Sequence, residues 1–332
     1  MNANSAAAWP LISVVTPAFC EQDNLAALHK EICAALDELE IRWEWIIVDD
    51  HSPDSTFAVA GELAKADSRV KAIRLARNAG SHVAIMCGLE HAAGDCSVVL
   101  AADLQDPPDL IEMLIEKWRR GAHIVWAVRR SPGHKKVGQV IGGRIYYDIL
   151  GRIGGFSEMP ATGADFFLID RVAIDGLARF QERNVSVYAL IHWMGFRQDC
   201  VEYDKNPRVH GSSGWTLSRK IKLFVDTVVS FSHGPIQFMS LFGAIVAMFG
   251  FLYAGFVVFE ALSGETVQGW SSLIVAILII GGVQISMLGV LGEYLWRTSE
   301  ETRKRPRYLI EDTTPSDGET SNSRVTVSKI WD

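Results

Sequence analysis

Apolar residues follow two different rhythms along this chain, and the change comes near His233. Up to about residue 215, short apolar runs alternate with stretches in which apolar positions recur every three or four residues. Leu11-Ile12-Ser13-Val14-Val15 and Trp45-Ile46-Ile47-Val48 are runs of the kind that parallel strands covered on both faces require. Between them, Leu25, Leu28, Ile32, Leu36 and Leu39 share one face of a helix over Asn24 to Leu39. The alternation continues with a strand at Val70 to Leu75, a helix at Val83 to Ala93 and a strand at Ser97 to Ala101. A helix at Pro108 to Arg120 and a strand at Ile124 to Val128 complete it. Strand and helix alternating at this interval predict a doubly wound α/β domain with a mostly parallel sheet, spanning residues 1–215.

Beyond His233 the charges disappear. Residues of about 236–262 hold one charge, Glu260, near the end, and Trp270 to Leu291 hold none. Each run exceeds the roughly 20 residues a helix needs to cross a ~30 Å hydrocarbon layer. The pattern predicts two transmembrane helices within residues 233–297, at about 236–262 and 270–294. The linker 263–269 lacks Lys and Arg, whereas Arg219, Lys220 and Lys222 precede the hairpin and Arg297, Arg303, Lys304, Arg305 and Arg307 come after it. This asymmetry predicts a multi-pass membrane protein, with the N-terminal domain and both termini on the cytoplasmic side. Over 216–232, Leu217, Ile221, Phe224, Val225 and Val228 form one face with the basic residues largely off it, which predicts an amphipathic helix on the anionic leaflet. The tail, 298–332, is polar after about Glu311 and is expected to be partly disordered. Gly243, Gly250, Gly281, Gly282 and Gly289 would permit close helix packing, within one chain or in a homo-oligomer.

Composition narrows the partners. The chain has 332 residues, 48% hydrophobic and 21% charged, and its net charge of −7 opposes nucleic acid as a main partner. Five scattered cysteines with no CxxC pair indicate neither a disulfide framework nor a zinc site. Met1 to Trp9 lacks basic residues and a long apolar run, so no secretory signal is expected.

Ligands of open parallel sheets bind at the carboxyl ends of the strands. Three predicted ends carry informative residues: Thr16-Pro17-Ala18-Phe19-Cys20-Glu21, Val48-Asp49-Asp50-His51-Ser52 and Asp103-Leu104-Gln105-Asp106-Pro107-Pro108. There is no G-x-G-x-x-G after the first strand and no G-x-x-x-x-G-K-[ST], which opposes a nicotinamide dehydrogenase or a P-loop NTPase. No G-x-S-x-G elbow is present, and His51, His82, His91 and His210 lack metal-ligand spacing. A diphosphate bound without a glycine cradle needs a divalent cation, and Mg²⁺ or Mn²⁺ takes hard oxygen donors. Asp103 and Gln105, two apart, would point the same way if the chain there is extended.

Taken together, these stretches resemble the family-two glycosyltransferases of GT-A fold, a Rossmann-like architecture. Within them the chain is most similar to the polyprenyl-phosphate glycosyltransferases, which include bactoprenol glucosyltransferases and dolichyl-phosphate mannose synthases. Further matches are Asp54-Ser55-Thr56, Arg77-Asn78-Ala79-Gly80, Ala92-Ala93-Gly94-Asp95, Thr162-Gly163-Ala164-Asp165-Phe166 and Arg208-Val209-His210-Gly211-Ser212-Ser213-Gly214-Trp215. The resemblance covers about residues 11 to 310. It implies that Pro17, Ala18, Glu21 and Asp50, with Asp49 beside them, line a nucleotide-sugar pocket, and that Asp103 and Gln105 hold Mg²⁺ or Mn²⁺ on the diphosphate. Ala101 stands where the family often has the first carboxylate of Asp-x-Asp, so Asp103 and Gln105 carry the ion with water, or Asp106 contributes. Asp165 matches the family's candidate catalytic carboxylate, as a base or as a positioning group.

A polyprenyl-phosphate acceptor presents an anionic head at the membrane surface, where guanidinium forks match its oxygens. Arg129, Arg144 and Arg208 are the candidates, with Ser213 donating a hydroxyl. The expected reaction is inverting transfer of a sugar, UDP-glucose being the first choice of donor, to undecaprenyl phosphate. The rivals are the same fold acting on another acceptor and a non-catalytic membrane scaffold with a degenerate site. A processive polysaccharide synthase would need more spans and a Q-x-x-R-W signature, and neither is seen.

Overall fold

A computed structural model describes residues 10–130, 166–180, 182, 186–204, 234–263 and 269–314. Arg144, Asp165, Arg208, Ser213 and the predicted amphipathic helix 216–232 lie outside the described residues.

The apolar runs become strands in the expected order: β1 (Leu11–Ala18), β2 (Arg42–Asp49), β3 (Val70–Leu75), β4 (Cys96–Val99) and β5 (Ile124–Arg129). The helices between them are α1 (Leu25–Glu38), α2 (Thr56–Ala66), α3 (Ser81–His91) and α4 (Leu110–Arg119). Then come β6 (Phe167–Asp170), α5 (Arg171–Ala178), α6 (Val187–Trp193) and β7 (Gln198–Tyr203). The helices α7 (Gly234–Leu262) and α8 (Trp270–Thr302) precede a last strand, β8 (Ile310–Thr313). Among the described residues the strands form one sheet in the order β7-β5-β6-β4-β1-β2-β3-β8. β1 pairs in parallel with β2 and β4, and β2 with β3. β6 runs antiparallel to both β4 and β5, so β5 points the same way as β4. The carboxyl ends of β1, β2, β4 and β5 therefore share one edge.

Period-two alternation sorts the central strands between two helical layers. Val14, Trp45, Ile47 and Val98 join Leu25, Leu28, Ile32, Ile111 and Leu114 in one buried cluster, which places α1 and α4 on one face. Val15 and Val48 face α3, where a Cβ on Gly88 would lie 2.3 Å from Val15 Cγ1 and 3.2 Å from Val48 Cγ2. Only a glycine lets α3 approach the sheet this closely.

The sequence pattern ends the domain at residue 215 and predicts a partly disordered tail after Glu311. The structure corrects this at the sheet edge, because β8 pairs antiparallel with β3. Ala76 N–H donates to the Leu309 carbonyl at 2.8 Å, and Thr314 N–H to that of Ala72 at 2.9 Å. The polar composition of Glu311-Asp312-Thr313 concealed the strand, since an edge strand needs backbone partners more than apolar side chains. Of the described residues, 306–314 belong to the same compact unit as the α/β domain, and 234–263 with 269–305 belong to a second.

In that second unit α7 and α8 pack on each other. Their contact runs through Gly243, where an added Cβ would meet Met287 Cε at 2.6 Å. Leu252, Phe251, Phe259 and Leu288 are exposed. Ile279–Ser299 is the one stretch of the described residues long and apolar enough to cross a membrane by length and composition, with Met239–Tyr253 a shorter apolar helix. α8 continues to Thr302, past the predicted end at 294.

Candidate active site

The β1 end leads directly into its loop. Pro17 is tolerated inside a central strand because the ladder to β4 ends before it, with Val15 opposite Val99 and Leu100 N–H on the Val15 carbonyl. Ala18 is buried, its carbonyl accepting from Asp50 N–H at 2.9 Å. Phe19 then turns outward, nearly half exposed. Side chains from the β2 loop lace the two loops together: Cys20 N–H donates to Ser52 Oγ at 3.0 Å and Glu21 N–H to Thr56 Oγ1 at 2.9 Å. The Glu21 carboxylate accepts from Asn24 Nδ2 at 2.6 Å.

Asp49 and Asp50, adjacent in sequence, do different work. Asp49 is fully buried; its Oδ1 accepts Ser52 N–H at 3.1 Å, and Arg74 Nη1 lies 3.5 Å from its Oδ2. Asp50 accepts the N–H groups of Ala79 at 2.7 Å and Gly80 at 2.8 Å, one on each oxygen. It thereby pins the Arg77-Asn78-Ala79-Gly80 motif to the strand end. Gly80, at φ 93°, makes the left-handed turn into α3 that a side chain would strain. Burial raises the Asp50 pKa; the two amides oppose this, and neighbouring Asp49 adds to it.

At the β4 end, the chain turns at Asp103 where the sequence pattern has it extended. Leu104 has φ 56°, and Gln105 N–H donates to Asp103 Oδ1 at 3.3 Å. Asp103 and Gln105 are thus brought together by a turn and not by strand alternation. Asp103 is 8% exposed at the edge. Asp106 is buried, and the Tyr203 hydroxyl of β7 donates to its Oδ1. Burial, and then the Asp106 charge, push the Tyr203 phenol well above its usual range, while hydrogen bonding to Arg129 acts the other way. Tyr203 therefore ties Arg129, opposite it in the β5–β7 ladder, to the β4 loop.

Cys20, His51 and Leu104 are non-glycine residues at φ 56–58° in the loops that leave β1, β2 and β4, two residues past the first two strands and five past β4. Backbone strain repeated at three neighbouring strand ends marks the edge as a built site. Asp103 and Gln105 offer the hard oxygen donors, a carboxylate and an amide, that a divalent cation such as Mg²⁺ or Mn²⁺ takes. Sequence reasoning missed Arg74 and Tyr203. A charge inside the apolar run Val70 to Leu75 was the available signal for Arg74; Tyr203 comes from a strand that the sequence pattern does not predict. Among the described residues, His29, Cys33 and Asp67 also cluster, their ligand atoms within 4.8 Å of one another. They lie before β3, at the opposite sheet edge, and Arg69 already occupies them, with Nη2 2.9 Å from Asp67 Oδ2 and 3.8 Å from Cys33 Sγ.

The model of glycosyl transferase family 2 matches residues 13–178. An uncharacterized glycosyltransferase of Synechocystis is 36% identical over 302 residues, covering 91% of this chain and 95% of that protein. The bactoprenol glucosyl transferase of Shigella phage SfX is 33% identical, covering 90% of this chain and 98% of its own, and the prophage homologue in Escherichia coli is 32% identical with the same coverage. A solved structure of glucosyl-3-phosphoglycerate synthase from Mycobacterium tuberculosis covers 65% of this chain and 75% of that chain, at 18% identity and a TM-score of 0.48. With the family model spanning β1 to α5 and such relatives matching along nearly their whole length, the chain belongs to glycosyl transferase family 2.

Proposed function

We propose that the protein transfers a sugar from a nucleoside diphosphate sugar to a polyprenyl phosphate at the cytoplasmic face of a membrane, with inversion at the anomeric carbon. UDP-glucose and undecaprenyl phosphate are the first choices, favoured by relatives named bactoprenol glucosyl transferases that align along 98% of their length. The observation that carries the reading is the convergence at one sheet edge of the laced β1 and β2 loops, Asp103 and Arg129.

The roles follow from charge. Pro17, Ala18 and Glu21 offer the nucleotide wall, with Phe19 beside it; Asp49 and Asp50 hold that wall's shape. Asp103 and Gln105 would hold Mg²⁺ or Mn²⁺, which when bound supplies positive charge to the departing diphosphate. Arg129, with Arg144, Arg208 and Ser213, places the acceptor phosphate in line. One phosphate oxygen bonds to the anomeric carbon as that carbon's bond to the diphosphate oxygen breaks, and the nucleoside diphosphate leaves with the electron pair. The acceptor is already ionised near pH 7, so no base is needed, and Asp165 serves to orient it. α7 and α8 serve as a two-helix membrane hairpin that anchors the enzyme to the bilayer holding the lipid phosphate.

The test is formation of lipid-linked sugar by membranes carrying the protein, with EDTA and then with Mg²⁺ restored. Loss and recovery of product, together with its loss in Asp103→Ala, support the assignment. Product that survives EDTA or Asp103→Ala would remove Asp103 from the reaction.

A further inference from the structure

Arg74 sits between two parts of the chain that are far apart in sequence. On one side its Nη1 lies 3.5 Å from buried Asp49, and its Nη2 donates to the Ser52 carbonyl at 3.2 Å. Both partners belong to the turn that carries Asp50; Asp49 Oδ1 closes that turn on Ser52 N–H, and Ser52 Oγ fixes the β1 loop by accepting Cys20 N–H. On the other side its Nε donates to Glu311 Oε2 at 2.9 Å. His51 Nδ1 lies 3.2 Å from the same Glu311 oxygen and 3.0 Å from the Leu75 carbonyl. The guanidinium also lies over Phe57, 5.7 Å from the ring centroid.

The backbone is arranged to deliver Glu311 to this point. The β3–β8 ladder shifts register between Arg74 and Leu75: Arg74 faces Asp312 and Leu75 faces Ile310, leaving Glu311 as the extra residue of the irregularity. Such bulges re-aim a side chain beside a functional site. The strand is fastened on both flanks by contacts separate from Glu311. Tyr308 donates to Glu90 at 2.5 Å with Arg307 3.3 Å from the same carboxylate, and Thr314 Oγ1 accepts Ala72 N–H at 2.9 Å. An edge strand needed only as a cover would be complete without a carboxylate on Arg74.

We infer that Glu311, on the strand that comes after α8 in the chain, is a positioning residue of the nucleotide pocket. It holds the Arg74 guanidinium against Asp49 and Ser52, and so sets the 49–52 turn and the β1 loop in the geometry that receives a nucleoside diphosphate. Without it Arg74 is drawn toward water and the buried Asp49 carboxylate loses its counter-charge, which loosens the turn. The inference rests on the proposed nucleotide-sugar function.

The experiment measures UDP affinity, donor KM, kcat and melting temperature for the full chain in detergent, comparing wild type with Glu311→Ala, Glu311→Asp and Tyr308→Phe. Glu311→Ala is expected to weaken UDP binding and raise KM by about tenfold with kcat little changed, since a displaced positioning group costs affinity before chemistry. Glu311→Asp restores part of the loss, and Tyr308→Phe lowers the melting temperature while leaving UDP affinity within about twofold of wild type. Equal affinities for Glu311→Ala and wild type would overturn the inference. So would an affinity loss in Tyr308→Phe as large as that in Glu311→Ala, which would make the strand a general brace. Wild type that binds none of UDP, GDP or dTDP would overturn the nucleotide reading itself, and this inference with it.

Discussion

Asp103 is the residue on which the proposed chemistry turns. It is the strand-end carboxylate at the β4 turn, held by Gln105 N–H, whereas Asp49 and Asp50 spend their oxygens on Ser52, Ala79 and Gly80. Asp103→Ala is expected to lower kcat/KM by about 100-fold or more while leaving the melting temperature close to wild type, because in the proposed reaction its carboxylate would hold the cation that neutralises the leaving diphosphate and is no part of the core. Steady-state assays beside melting curves check both halves. Asp67 gives the opposite behaviour, stability without catalysis. Hydrogen bonds from Arg69 hold its carboxyl at about 2, below the ordinary 3.8. A depressed folded-state pKa gives stabilisation that is complete above the unfolded value and lost as pH falls through about 2. The melting temperature of wild type should therefore fall more steeply than that of Asp67→Asn as pH drops from about 5 to about 2.

At the scale of elements, the apolar rhythm made β1 to β5, α1, α3 and α4 legible, because strands covered on both faces and helices with one buried face leave separate periods in the sequence. β7 and β8 were not legible. Gln198-Asp199-Cys200-Val201-Glu202-Tyr203 and Ile310-Glu311-Asp312-Thr313 are edge strands, held by backbone pairing and by ion pairs such as Lys117–Asp199. The site was legible in type and less so in detail. The strand-end motifs singled out one sheet edge, but nothing local announced that Asp103 and Gln105 meet through a turn, or that Arg74 and Tyr203 tie the loops from other strands. Two substitutions probe elements directly. Gly88→Ala pushes a methyl against Val15, whose branched side chain has little room to rotate, and should destabilise the domain by about 1–3 kcal/mol in a denaturation assay. Tyr203→Phe leaves buried Asp106 without its hydroxyl donor and frees Arg129 from the β4 loop. It should cost about 1–3 kcal/mol of stability and raise the KM for the lipid acceptor more than that for the donor, as separate titrations of the two substrates would show.

The whole molecule joins a family 2 glycosyltransferase domain to two long apolar helices, and the chain returns from the second helix to complete the sheet. That order makes sense of a reaction with one water-soluble substrate and one lipid substrate. In the proposed reaction the α/β edge takes a nucleotide sugar, and the two apolar helices keep the enzyme at the surface where a polyprenyl phosphate presents its head. The most direct test incubates the purified full chain with undecaprenyl phosphate, Mg²⁺ and a panel of radiolabelled nucleotide sugars, and tracks label into an organic-extractable product. One donor, UDP-glucose first, is expected to give a lipid-linked monosaccharide that forms only when the lipid phosphate is present. Label that enters no lipid with any donor, or that accumulates in a polymer, would contradict it.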